Sequence, residues 1–230
     1  MFHKSNYHMN TKLLFATGLC SAFLLSFTLK ENRLTPEKET KDILNIEQFH
    51  AAEKFMLDPK KCSIEWIGRG VGKQHNGTVN ITTGSIFIDT KQITSIYAFM
   101  DMKTIKCADL KDAGFNKQLT DHLKSVDFFN ISKYPSSTFK LKKATRLDVP
   151  EGQVNYTILG DLNMHGITKS IEFPATVIFG KKKVSATGAI TIDRTEWDIK
   201  YNSGNYFKEL GDKLIEDKIE LKMILEGNIQ

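Results

Sequence analysis

The 230-residue sequence has only 5 prolines, 15 glycines and 3 cysteines. So little proline and glycine excludes a long linker and any collagen-like or low-complexity segment. Three cysteines cannot build a disulfide scaffold. An excess of one charge is also missing: 32 basic against 27 acidic residues leave +5. Lysines alternate with acids along most of the chain, so no nucleic-acid partner is expected. The run Lys181-Lys182-Lys183 follows Gly180 and reads as an exposed hairpin tip. There is no Gly-x-Ser-x-Gly elbow, P-loop or dinucleotide fingerprint, and no paired-histidine metal motif. What is present suffices for a core. Hydrophobic residues make up 40% of the sequence, and a chain of this size buries roughly 70% of its unfolded surface.

One long apolar run stands out. Residues 13–29 read LLFATGLCSAFLLSFTL, without a charge, between Lys12 and Lys30. A positive start, an apolar stretch and a polar continuation describe an export signal, with Met9 as an alternative start. Retention as a membrane anchor, and lipidation at Cys20, are the alternatives; Leu19 before Cys20 argues against lipidation. Residues 1–29 are thus expected to be a signal peptide or membrane anchor. Residues 30–52 are expected to be a polar tether, with Ile43, Leu44, Ile46 and Phe49 on one stripe of a short helix. Residues 53–230 form the body. Export leaves Cys62 and Cys107 as a candidate disulfide or as two buried free thiols.

The body alternates with period two. Val154, Tyr156, Ile158, Gly160, Leu162 and Met164 fall on one face. So do Ile219, Leu221, Met223, Leu225 and Ile229; Ile96, Ala98, Met100 and Met102; and Val184, Ala186, Ile190 and Ile192. Such rows predict half-buried antiparallel strands. Further strands are expected at 55–71, 78–90, 138–147 and 170–179. Turns are expected at Asn76-Gly77, Pro150-Glu151-Gly152 and Gly180. The single helical insertion is Phe115 to Ser125. Eight or more such strands favour one all-β barrel or a two-layer sandwich. A barrel of that size is either filled by side chains or holds one ligand. Small residues and flexible methionines in the inward rows suit an adaptable apolar cavity, and suit a packed core equally.

Five strings recur in order: His75-Asn76-Gly77-Thr78, His122-Leu123-Lys124-Ser125-Val126-Asp127-Phe128-Phe129, Tyr134-Pro135, Gly160 through Lys169, and Asp193-Arg194-Thr195. Together they resemble the YceI-like family of exported bacterial proteins over residues 55–228. The resemblance implies a single extended antiparallel barrel, lipocalin-like. It implies an isoprenoid lipid, of polyprenyl or quinone type, held in an apolar channel. It implies the periplasm or cell envelope, and a role in transport, storage or envelope stress. No enzymatic cofactor and no metal come with it.

From the pleat, Ile96, Ala98, Met100, Tyr156, Ile158, Ile190, Ile192, Leu221 and Met223 are expected to line the channel. Phe128 and Phe129 are expected to plug the core or gate the mouth. Arg194, Lys169 and His165 are candidates for head-group contact, Arg194 because guanidinium suits oxygen acceptors. The bland alternatives are an arginine tying strands together and histidines that fix loops. Two other functional readings stay open: an envelope enzyme that uses His75, His122, His165 and Arg194 on a bound lipid, and a membrane-tethered interaction scaffold with a filled barrel.

Overall fold

A computed structural model describes residues 52–150 and 152–230. The apolar run 13–29, Cys20 and the helical stripe at 43–49 lie outside the described residues. Nine strands follow in order: β1 (Glu53–Leu57), β2 (Ser63–Gly70), β3 (Lys73–Asp89), β4 (Gln92–Cys107), β5 (Ser136–Arg146), β6 (Tyr156–Met164), β7 (Ile167–Phe179), β8 (Lys183–Asp193) and β9 (Lys218–Ile229). Helix α1 (Ala113–Lys124) stands between β4 and β5. Asp112 caps it, accepting from the Phe115 N–H, and Leu123 is its buried residue.

Every neighbouring pair is antiparallel, and β3–β4 pairing closes the sheet on itself. β1 and β2 share one place in the ring. β2 pairs with the first half of β3 and of β9, and β1 with the last part of each. Nine strands therefore make an eight-position closed barrel. Closure removes the exposed strand edges that an open sheet would carry.

Two expectations are corrected here. Segment 55–71 is not one strand: it breaks at Asp58–Cys62, where the Lys61 N–H bonds the Asp58 carbonyl. Pro59 supports the break, since it has no N–H for a ladder. Asn76-Gly77 is not a turn either. The reversal lies at Val71-Gly72, where Gly72 has φ +68°. Gly77 sits inside β3, opposite both Trp66 and Cys107. A Cβ there would lie 1.7 Å from the Lys106 carbonyl oxygen and 2.6 Å from Trp66 Cζ2. The glycine serves close strand approach, not chain reversal.

The two ends of the barrel differ. At one end the β3–β4 reversal puts Thr90 and Lys91 at φ 46° and 67°. That handedness suits a two-residue hairpin, but each non-glycine residue there costs roughly 1–2 kcal/mol. The fully buried Tyr156 offsets it by donating its hydroxyl to the Lys91 carbonyl. Phe55, Ile88, Ile93 and Val184 are buried at the same end and close it. At the other end lie the 70–73 hairpin, α1, and the long 194–217 segment with Trp197 and Ile199 buried.

Candidate functional site

The barrel encloses a cavity of about 780 Å³. Its wall is apolar, with β3 and β4 contributing Ile81, Ile96 and Met100, and β8 and β9 contributing Ile190, Leu221 and Leu225. Period-two alternation explains this: each strand sends every second side chain inward. Charged residues reach the cavity at the end formed by the 70–73 hairpin and the 194–217 segment. They are Arg69, Lys73, Asp212 and Lys213, with His75 beside them and Arg194 beneath them. Lys73, Asp212 and Lys213 are exposed, so this end is the mouth. Leu119, His122 and Leu123 of α1, with Phe128 and Phe129 behind it, also line the cavity. The Phe128 ring packs edge-on to His122 at 5.0 Å, and His122 edge-on to Tyr201 at 4.7 Å. These rings form an aromatic collar beside the mouth.

Of the residues expected in the wall, Ile96, Ala98, Met100, Ile158, Ile190, Ile192, Leu221 and Met223 line the cavity, as do Phe128 and Phe129. Tyr156 does not. It points inward, but it is spent on the closed end, where its hydroxyl holds the Thr90-Lys91 turn and its ring meets Phe179. Of the three head-group candidates, two lie off the cavity. Lys169 is exposed on β7. His165 sits in the β6–β7 turn at φ 51°, its Nδ1 bonded to the Trp197 carbonyl at 2.9 Å and its ring against Tyr134. It fixes that turn.

Arg194 does line the cavity, but each of its three nitrogens donates to a protein carbonyl. Nε donates to the Glu216 carbonyl, Nη1 to that of Ile199 at 2.7 Å and Nη2 to that of Ile215 at 3.0 Å. Nη2 also stands 3.2 Å from Asp217 Oδ1. Burial pulls the arginine pKa below its ordinary value, while Asp217 and Asp193 push the other way. The guanidinium ties the end of β8 to the 199–217 segment. All three of its nitrogens bond protein carbonyls, which is the strand-tying role rather than a head-group role.

The other histidines sit at the mouth. His122 pairs with Asp127 at 3.0 Å. His75 Nδ1 lies 2.8 Å from Asp109 Oδ2. Asp109 also accepts from the Asn76 N–H and the Cys107 thiol. Burial opposes ionisation of Asp109, but these three donors hold its pKa at about 2. It is therefore a pure acceptor, and His75 Nδ1 carries the proton. Among the described residues, no hydroxyl or thiol is hydrogen-bonded to any histidine ring except through a carboxylate. Cys62 and Cys107 are both free and buried. They stand at different levels of β3: Cys107 is opposite Gly77, and Ser63, next to Cys62, is opposite Asn80.

Two polar groups face the cavity in addition to the expected wall residues. Ser137 Oγ and Trp66 Nε1 are buried, line the cavity and have no hydrogen-bond partner. Ser137 falls next to the familiar Tyr134-Pro135 string, and its parity from Phe139 was the only available signal.

Residues 55–226 match the YceI-like domain. The chain belongs to the YceI-like family. A UPF0312 protein of Vibrio parahaemolyticus is 26% identical to this YceI-like chain over 195 residues, which span 82% of this chain and 88% of the relative. Among solved structures, Burkholderia cenocepacia BcnA superposes with a TM-score of 0.51 at 18% identity, covering 74% of this chain and 98% of that one. A polyisoprenoid binding domain from Saccharophagus degradans, implicated in plant cell wall breakdown, superposes with a TM-score of 0.53 at 10% identity, covering 76% and 98%. At such identities these two share the fold with this YceI-like barrel.

Proposed function

We propose that this YceI-like protein is an exported, non-enzymatic carrier that holds one long isoprenoid lipid, of polyprenyl or quinone type, inside its barrel. The observation that carries the reading is the cavity: about 780 Å³, walled by aliphatic side chains, with charged residues gathered at one end. That size is ordinary for a site enclosing one organic ligand. Burying apolar surface yields roughly 25 cal/mol per Å², so a prenyl chain gains more along the wall than a single polar contact supplies. Ordering the chain costs part of it. The name of the Saccharophagus relative supports the lipid class.

Residues 13–29 direct the chain to the periplasm or cell envelope and, if uncut, associate it with the membrane. Transport, storage or stress protection would follow from loading and release at the mouth. No cofactor beyond the lipid is needed. The filled-scaffold reading is disfavoured by the cavity. The enzyme reading is disfavoured by an Arg194 whose three nitrogens all bond protein carbonyls and, among the described residues, by histidines paired with carboxylates or a carbonyl.

The test is to purify the chain from bacterial membranes, extract it with organic solvent and identify the extract by mass spectrometry. One isoprenoid lipid per protein is expected. An extract without such lipid, together with no uptake of added polyprenol or quinone by the emptied protein, refutes the reading.

A further inference from the structure

The cluster at His75, Cys107 and Asp109 has not been used by the lipid reading. It brings three different donor types together from three places: β3, the end of β4 and the loop that follows it. One ligand atom from each lies within 4.8 Å of the other two. The His75 Nδ1–Asp109 Oδ2 and Cys107 Sγ–Asp109 Oδ1 separations are 2.8 and 3.2 Å. Ligand atoms around a tetrahedral zinc lie about 3.3–3.6 Å apart, given metal–ligand bonds of about 2.0–2.3 Å. The two contacts reach different oxygens of one carboxylate, so side-chain rotation is needed to bring one oxygen, Sγ and Nδ1 around a single ion.

Its backbone is clamped on every side. The Ala108 N–H bonds the Asn76 carbonyl, and the Asn76 N–H bonds Asp109 Oδ1. Asn116 of α1 donates from Nδ2 to the carbonyls of Cys107 and Leu110. The thiol is buried, while His75 and Asp109 keep about a third of their side-chain surface exposed. An ion therefore has a route in and a direction left open to water.

We propose that His75, Cys107 and Asp109 form a binding site for a divalent cation of zinc type, with a fourth position open beside the cavity mouth. Thiolate, imidazole and carboxylate suit a borderline-soft cation and do not suit magnesium or calcium. Binding exchanges protons for the ion: the Cys107 thiol releases one to solvent, and the His75 imidazole carries its own on Nε2 instead of Nδ1. The proposal stands independently of the lipid.

The test uses the reduced, detergent-solubilised full chain stripped with a chelator. Cobalt(II) titration is expected to raise a thiolate-to-cobalt charge-transfer band that saturates at one equivalent and is displaced by zinc. Cys107→Ser and His75→Ala should lose it, and Cys20→Ser and Cys62→Ser should keep it. In the unaltered protein, one equivalent of zinc should slow alkylation of Cys107, mapped by peptide mass, by at least about tenfold. This arm decides if the variants do not fold. No band with the thiols confirmed reduced, a band that survives Cys107→Ser, or unchanged alkylation with zinc overturns the proposal and leaves a hydrogen-bonded cluster only.

Discussion

On β3 and β4 the inward side chains Ile81, Ile86, Ile96, Ala98, Met100 and Met102 are all at least 93% buried. On β7, β8 and β9 the inward Ile171, Phe173, Ala186, Ile190, Leu221 and Leu225 are only half-buried, although Ala175, Val177, Val184 and Ile192 of the same strands are buried. All of these but Val184 line the cavity, and the half-buried ones keep more of their surface as its wall. Both walls use the same aliphatic residue types and the same alternation. The first pair of strands is long, with register shifts at Thr78/Asn80, Ile81/Thr83 and Phe87/Ile88. Bulges increase local twist and bend a strand. α1 packs against β4, and β1 against the far part of β3. The β7–β9 ladders run without a shift. Period two thus tells which face turns inward. Whether that face is covered depends on strand bending and on what packs across it.

The largest expected effect is on the more tightly covered side. Gly77→Val drives a side chain into the Lys106 carbonyl and the Trp66 ring, so a loss above about 4 kcal/mol is expected. The check is recovery of soluble folded protein. Next, Arg194→Met removes a charge that holds three carbonyls and Asp217 at the end of β8, for about 3–5 kcal/mol in urea unfolding. The comparison itself is tested by a pair of substitutions. Ala98→Trp, on the more tightly covered wall, should cost about 1–3 kcal/mol as overpacking, and Ala186→Trp less than about 1 kcal/mol, with lipid uptake lowered by both. Equal costs would mean that the two walls are covered alike. The smallest effect is Ser137→Ala. Its hydroxyl has no partner to lose, so thermal melting should place the variant within about 0.5 kcal/mol of the parent.

The rows at 96–102, 156–164, 184–192 and 219–225 were legible because each runs unbroken with one face apolar. The helix was legible too, from Leu119, His122 and Leu123; it begins two residues earlier than read, at its Asp112 cap. Asn76-Gly77 misled because a strong turn pair also fits where two neighbouring backbones crowd together. The 194–217 segment was silent. Trp197, Ile199 and Ser203 are buried there by contacts to β6, Arg194 and Asp217, with no period to mark them. Tyr156 had the right parity and the wrong task, since parity does not tell at which height along a strand the cavity ends. The bonding of Arg194 was equally hidden, because its carbonyl partners belong to a segment with no pattern.

The ring is completed only where Phe55 meets Ile229 and Ile64 meets Met223, near the two ends of the described chain. A ribosome must therefore release β9 before any closed barrel exists. Until then β2 and β8 are open edges, able to pair with other chains. Contacts so distant in sequence also form slowly. A chain cut short before Lys218 would have eight of the nine strands, the turns and the helix, and no inside.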